Sequence, residues 1–220
     1  MGQDLTVNAI ATGRAAIETV AGDLIARFVD RDLVFEDIRA GGDGALTVVA
    51  DVDVTGGVVE TDRGDLTLTV NGALTQDAPS RISSGTGEVD VTVIGDLLAN
   101  RIETGGACLA LTVGGAIDAL DPAVVVIVAV AAGALTQLRL GESVENTPLG
   151  LGIDVSRLDA EVARGDLDLR EETDVEVVQL TALSGDLDLS ARGDVTLGAV
   201  TAQGGTATIT AGGACQFGTG

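Results

Sequence analysis

The sequence predicts an all-β solenoid, a single-stranded parallel β-helix of roughly ten coils with about 20 residues in each. Three observations carry this. Apolar and polar residues alternate strictly in short runs: "LTLTV" at Leu66–Val70, "VDVTV" at Val89–Val93, "LALTV" at Leu109–Val113, "LDLSA" at Leu187–Ala191 and "ATITA" at Ala207–Ala211. Glycines bracket these runs at a fixed offset, as Gly64/Gly72, Gly87/Gly95, Gly106/Gly114, Gly185/Gly193 and Gly205/Gly213. The brackets themselves return at Gly64, Gly87 and Gly106, and again at Gly165, Gly185 and Gly205. A fixed strand length between fixed turns, repeated, is the signature of a solenoid.

Along the chain, "MGQDLTVNAI" enters a strand-like pattern with no basic region and apolar run of a signal peptide, so the 220 residues read as one continuous β-helix segment (1–220) of a larger protein. Ile17, Val20, Leu24 and Phe28 have helical spacing, but Gly22-Asp23 falls where a coil turn belongs. Each later unit reads as a strand, a glycine turn, a shorter apolar strand such as "GALT" or "GAI", and a third piece ending near Ile82, Ile102 or Val200. Stacking predicts one interior column of Leu66, Val89, Leu109, Leu187 and Ala207, a second of Leu68, Val91, Leu111, Leu189 and Ile209, and an outward column of Thr69, Thr92, Thr112, Ser190 and Thr210. The apolar stretch Ala123–Leu135 is too short to cross a bilayer and reads as a buried strand pair. "LGESVENTPL" breaks the rhythm, which predicts a loop or irregular junction at 140–148.

Composition narrows the function. Aromatic residues make up 1% of the chain, so the core must be Val, Leu, Ile and Ala in thin layers. The net charge is -22, and all 12 basic residues are Arg. Such a surface repels phosphate backbones and anionic lipid, which excludes nucleic acid and membrane insertion from the expected partners. Without His, Lys, Tyr or Trp, most general bases and sugar-stacking platforms are missing. Catalysis would rest on carboxylates, and no enzyme is expected, although a carbohydrate-active β-helix would need only acids and an Arg.

Two constellations remain as candidate sites. In-register coils would set Asp166 beside Asp186 and Asp168 beside Asp188, like charges that a Ca²⁺ ion could neutralise with oxygen ligands. The competing reading is solvated surface acids, partly neutralised by Arg164, Arg170 and Arg192, with no cofactor. Arg-Gly-Asp, the tripeptide that integrin receptors read, occurs at Arg63-Gly64-Asp65, Arg164-Gly165-Asp166 and Arg192-Gly193-Asp194. Gly-Asp alone occurs seven times, so the pair is explained by coil corners, with Gly supplying the turn and Asp bonding its local backbone. Cys108 and Cys215 both follow "GGA"; five coils apart, they are expected to be separate thiols filling equivalent core positions.

The phrases "GDLTLTVNGALT" (Gly64–Thr75), "ETGGACLALTVGGAI" (Glu103–Ile117) and "NTPLGLGIDVSRLDAEVARGDLDL" (Asn146–Leu169) resemble the repeat region of filamentous-haemagglutinin-like proteins, large bacterial adhesins. The resemblance implies a right-handed β-helical shaft, an extracellular or cell-surface location, and adhesion to a host or neighbouring cell. Open coil ends add a further expected partner, copies of the same chain stacked end to end.

Overall fold

Alternating aliphatic residues between glycine corners form strands throughout, and there is no helix among the described residues. The computed structural model describes residues 4–9, 13–29, 33–129, 131–144 and 150–218. All strand pairs are parallel, and the stack amounts to about ten coils of a β-solenoid.

The coils are not all alike. β1 (Leu5–Ala9) with β2 (Gly13–Thr19), and β3 (Leu24–Phe28) with β4 (Leu33–Ala40), are coils of two strands. Four coils of three strands follow. They are β5 (Leu46–Ala50), β6 (Val54–Thr55) and β7 (Val58–Thr61); β8 (Leu66–Val70), β9 (Leu74–Thr75) and β10 (Arg81–Ser84); β11 (Val89–Val93), β12 (Leu97–Ala99) and β13 (Ile102–Thr104); β14 (Cys108–Val113), β15 (Ile117–Ala119) and β16 (Ile127–Ala129). β17 (Leu135–Leu140) and β18 (Leu151–Val155) lead into coils that again have two strands: β19 (Arg157–Val162) with β20 (Leu167–Glu171), β21 (Val175–Ala182) with β22 (Leu187–Ala191), and β23 (Val195–Ala202) with β24 (Ala207–Ala211), before β25 (Cys215–Phe217).

The first strand of every coil belongs to one eleven-stranded sheet, and the others to a fourteen-stranded sheet. The number of strands follows the breakers. β4 is uninterrupted and pairs with both β6 and β7, because Gly56 and Gly57, both at positive φ, split the same path in the next coil. No glycine or proline interrupts "LDLRE" in β20, so one strand covers the path again.

The core is a continuous ladder. Ile38, Val59, Ile82, Ile102, Ile127 and Ile153 stack one above another, each nearly or fully inaccessible. Phe28 and Phe35 pack at a ring-centroid distance of 5.6 Å. Such apolar area, at about 25 cal/mol per Å², drives the stacking without any bulky centre.

Several expectations need correction. The predicted columns split: Leu66, Val89 and Leu109, with Leu68, Val91 and Leu111 and with Thr69, Thr92 and Thr112, are in register in the first sheet. Leu187 with Ala207, Leu189 with Ile209, and Ser190 with Thr210 pair in the second sheet instead. Both coil corners use the same local chemistry, so the same words occur on both sides. One expectation holds: the chain bends at residues 20–22, at the Gly22-Asp23 corner, with Val20 88% exposed. Among the described residues, Ala123–Leu135 holds the short strand β16 and the start of β17, not a strand pair. Of the expected 140–148 junction, residues 145–149 lie outside the described residues; Val144 bridges Ile117 and keeps the stacking.

Candidate functional site

The corners show what the recurrent Asp and Gly do. At nine of them, among the described residues, an Asp Oδ1 accepts the amide of the corner residue one coil on: Asp4 from Asp23, Asp23 from Ala45, Asp53 from Ala73, Asp65 from Glu88, Asp96 from Ala116, Asp166 from Asp186, Asp174 from Asp194, Asp186 from Thr206 and Asp194 from Ala214, all at 2.7–3.1 Å. The Asp therefore ties coil to coil, and the expected bond to its own local backbone is corrected. Beside it the glycines stack so closely that a Cβ on Gly64, Gly87 or Gly106 would lie 2.0, 2.1 or 2.3 Å from the carbonyl oxygen of the preceding glycine.

Each Arg-Gly-Asp is stapled at both ends. Arg63 pairs backwards with Asp43 at 2.7 Å, Arg164 with Glu142 at 2.8 Å, and Arg192 with Glu172. Asp65, Asp166 and Asp194 bond forwards to the next coil. Gly64 is buried, and Gly165 and Gly193 are half-buried. These are corners, with the exposed ion pairs worth little individually.

Of the acidic candidates, Asp168 and Asp188 are direct register partners. Burial, then the charges of Asp188 and Asp166, push the Asp168 carboxyl above its ordinary range. Asp166 and Asp186 each spend an oxygen on an amide of the following coil. Among the described residues no three His, Cys, Asp or Glu side chains converge in a way that could hold a metal ion.

The cysteines are separate thiols, as expected, but neither is a core filler. Cys108 is half-buried and opposite Leu135, whereas Cys215 is exposed and opposite Val195. The two are not equivalent, because the column of Leu109, Thr136, Leu158, Val177 and Leu197 reaches Phe217, two residues beyond Cys215. Burial first, then Glu88 and Asp90, pushes the Cys108 thiol up.

One face carries polar structure that the sequence reading did not single out. A hydroxyl ladder closes its inner edge: Thr61 Oγ1 donates to Gly64 O at 2.6 Å, Ser84 Oγ to Gly64 O at 3.0 Å, and Thr104 Oγ1 to Gly87 O at 2.6 Å. The signal was the spacing of Thr61 and Gly64 and of Ser84 and Gly87. Outward on the same strands, Glu60 accepts from Arg39 and Arg81, and Arg101 donates to Glu103 at 2.7 Å. Between Glu60 and Glu103 in register sits Ser83, only 9% exposed. Glu60, Arg81, Ser83 and Glu103 line an open groove of about 480 Å³.

The other missed group is Glu171, inward-facing and fully buried. Strict alternation from Leu167 and Leu169 already placed it inside. Burial raises its carboxyl to about 7, against the opposing effect of hydrogen bonds from the Thr173 and Val155 amides.

No protein-family model, curated protein or solved structure matches the chain.

Proposed function

We propose that the chain is a non-catalytic shaft segment of a secreted or cell-surface bacterial adhesin or filament, spacing and displaying binding regions carried elsewhere. One observation carries the reading: the polar side chains at the corners, including every Arg-Gly-Asp, are engaged by the neighbouring coil. A surface whose recurrent motif is consumed in stacking supports length rather than recognition. Ten coils at about 4.8 Å each give a rod of about 50 Å. The repeat phrases that resemble large bacterial adhesins support the location.

In-frame deletion of residues 65–87 removes one coil and joins Gly64 to Glu88, which begins an equivalent corner. Small-angle scattering of the variant should show a folded rod shortened by about 5 Å, and display of the deleted parent at the cell surface should persist. A collapsed or unfolded product would sink the interchangeable-coil reading, and an intracellular parent would sink the surface location.

A second reading, a ligand-binding module, is favoured by the groove of Glu60, Arg81, Ser83 and Glu103, where acceptors and donors alternate within reach of a hydroxylated ligand. Titration with neutral hexasaccharides followed by amide NMR tests it. Shifts confined to these residues and abolished by Ser83→Leu support binding, and unperturbed spectra refute it.

A further inference from the structure

Glu171 stands where the isoleucine ladder would continue. Its register partners are Ile153 in the preceding coil and Ala191 in the following one. A carboxyl has replaced a branched hydrocarbon at the first coil of two strands after those of three.

The side chain is fully inaccessible, and its polar contacts are with Val155 of the preceding coil and with Thr173, two residues on. Oε2 accepts the Val155 amide at 3.1 Å, and Oε1 accepts the Thr173 amide at 3.0 Å. The Thr173 hydroxyl lies 3.2 Å from Glu171 Oε1 and 3.0 Å from Asp154 Oδ1. A hydroxyl has one proton to donate. With both carboxyls ionised it satisfies one of them, and the other oxygen faces its lone pairs. A proton on Glu171 resolves the conflict: the Glu171 O–H donates to Thr173 Oγ1, whose own proton goes to Asp154 Oδ1.

We propose that Glu171, Thr173 and Asp154 form a proton-operated latch at the junction between three-strand and two-strand coils. One proton held along the hydroxyl-bridged pair closes the corner. Its release to solvent in neutral to mildly alkaline medium leaves two carboxylates competing for one donor and loosens the corner.

The charged surroundings favour this. Arg170 is occupied by Glu172 and the Pro122 carbonyl, and Arg192 also pairs with Glu172. Asp174 accepts the Asp194 amide. Asp154 is the charge on the preceding strand, and it opposes ionisation of Glu171. No cation bonds to Glu171 among the described residues.

The sign follows from linkage. The folded protein holds the Glu171 proton from the ordinary carboxylate value of 4.5 up to about 7. The stabilising contribution is therefore full below pH 4.5 and is lost as the pH rises through about 7. Over that window the folding equilibrium of the junction falls roughly 10²- to 10³-fold.

The latch goes beyond the shaft reading and does not depend on it. Carbon-13 NMR titration of glutamate carboxyls in the full chain, with urea unfolding across the same pH range, tests it. Glu171 should titrate near 7, Asp154→Asn should lower that midpoint, and Glu171→Gln should remove the pH slope. The protection of the Val155 and Thr173 amides relative to their intrinsic exchange rates should fall above the midpoint in the native chain. A Glu171 midpoint in the ordinary carboxylate range, or one that Asp154→Asn leaves unmoved, overturns the proposal. Asp154 is on the surface side of β18, so this variant keeps the test alive should Glu171→Gln fail to fold.

Discussion

Replacing Gly87 by Ala should destabilise the rod although the backbone there suits any residue. Gly87 is buried, and its φ lies outside the left-handed region, so the substitution carries no conformational strain. The obstacle is stacking: the new Cβ would lie 2.1 Å from Gly64 O and 2.4 Å from Gly64 C. A relaxed carbon–oxygen contact needs about 3.3 Å, so the two corners must separate by about 1 Å. At a strand spacing of about 4.8 Å this stretches the bonds that join them past hydrogen-bonding range. Those bonds are Leu66 N to Glu88 O at 2.8 Å, Ser84 Oγ to Gly64 O at 3.0 Å and Glu88 N to Asp65 Oδ1 at 2.9 Å. Three bonds at about 1 kcal/mol each, less about 0.5 kcal/mol that Ala gains from a stiffer unfolded chain, give a loss of roughly 2–3 kcal/mol. Gly133→Ala is the contrast. Its φ is +75° and nothing lies within 4 Å of the added carbon, so only about 1 kcal/mol of left-handed strain applies. Urea unfolding followed by circular dichroism compares the two, and exchange mass spectrometry across residues 60–110 localises the loss. A Gly87→Ala chain as stable as the parent, or less perturbed than Gly133→Ala, would refute the stacking argument.

Thr136→Val should raise stability by about 1 kcal/mol, read as a higher Tm, because the buried Thr136 Oγ1 has no partner among the described residues and sits between Leu109 and Leu158. A lower Tm would mean that the hydroxyl is used. Cys215 should react with a thiol reagent in the folded protein well before Cys108, whose thiol is both half-buried and raised; equal rates would contradict the open position of β25. With a net charge of -22, NaCl should raise Tm by screening, and Ca²⁺ at matched ionic strength should do no more. A specific Ca²⁺ increment abolished by Asp168→Asn would instead assign a metal site to Asp166, Asp168, Asp186 and Asp188.

Alternation and glycine spacing made the strands and the coil repeat legible, because both are local consequences of a pleated chain turning at fixed points. The position of a strand around the coil was not. "GDLTL" at Gly64 enters the first sheet, whereas "GDLDL" at Gly165 enters the second. Their corner bonds are indistinguishable, Asp65 to Glu88 N at 2.9 Å and Asp166 to Asp186 N at 2.8 Å. Which corner a Gly-Asp occupies depends on how many strands lie between, and that is set by breakers as far apart as Gly57 and Pro79. Glu171 and Thr136 were different. The period-two pattern of their own strands pointed them inward, and only the habit of placing polar residues outside concealed them.

The corner Asp residues also explain why so acidic a chain stacks on itself. A carboxylate oxygen is a strong acceptor for an amide, so each corner gains a bond to the next coil at the expense of one negative charge close to its neighbours. Where two such corners are consecutive, as at Asp166 and Asp186 or Asp174 and Asp194, the charges lie one strand spacing apart. Asn presents the same oxygen without the charge. The pair of substitutions Asp166→Asn and Asp186→Asn should therefore keep the amide bonds to Asp186 and Thr206 and relieve repulsion, leaving Tm equal or higher at low salt. The corresponding Ala pair should lower Tm, since both amides lose their acceptor. If the Asn pair were as destabilised as the Ala pair, the charge itself would be in use, and the corner bond would not account for the recurrence of Gly-Asp.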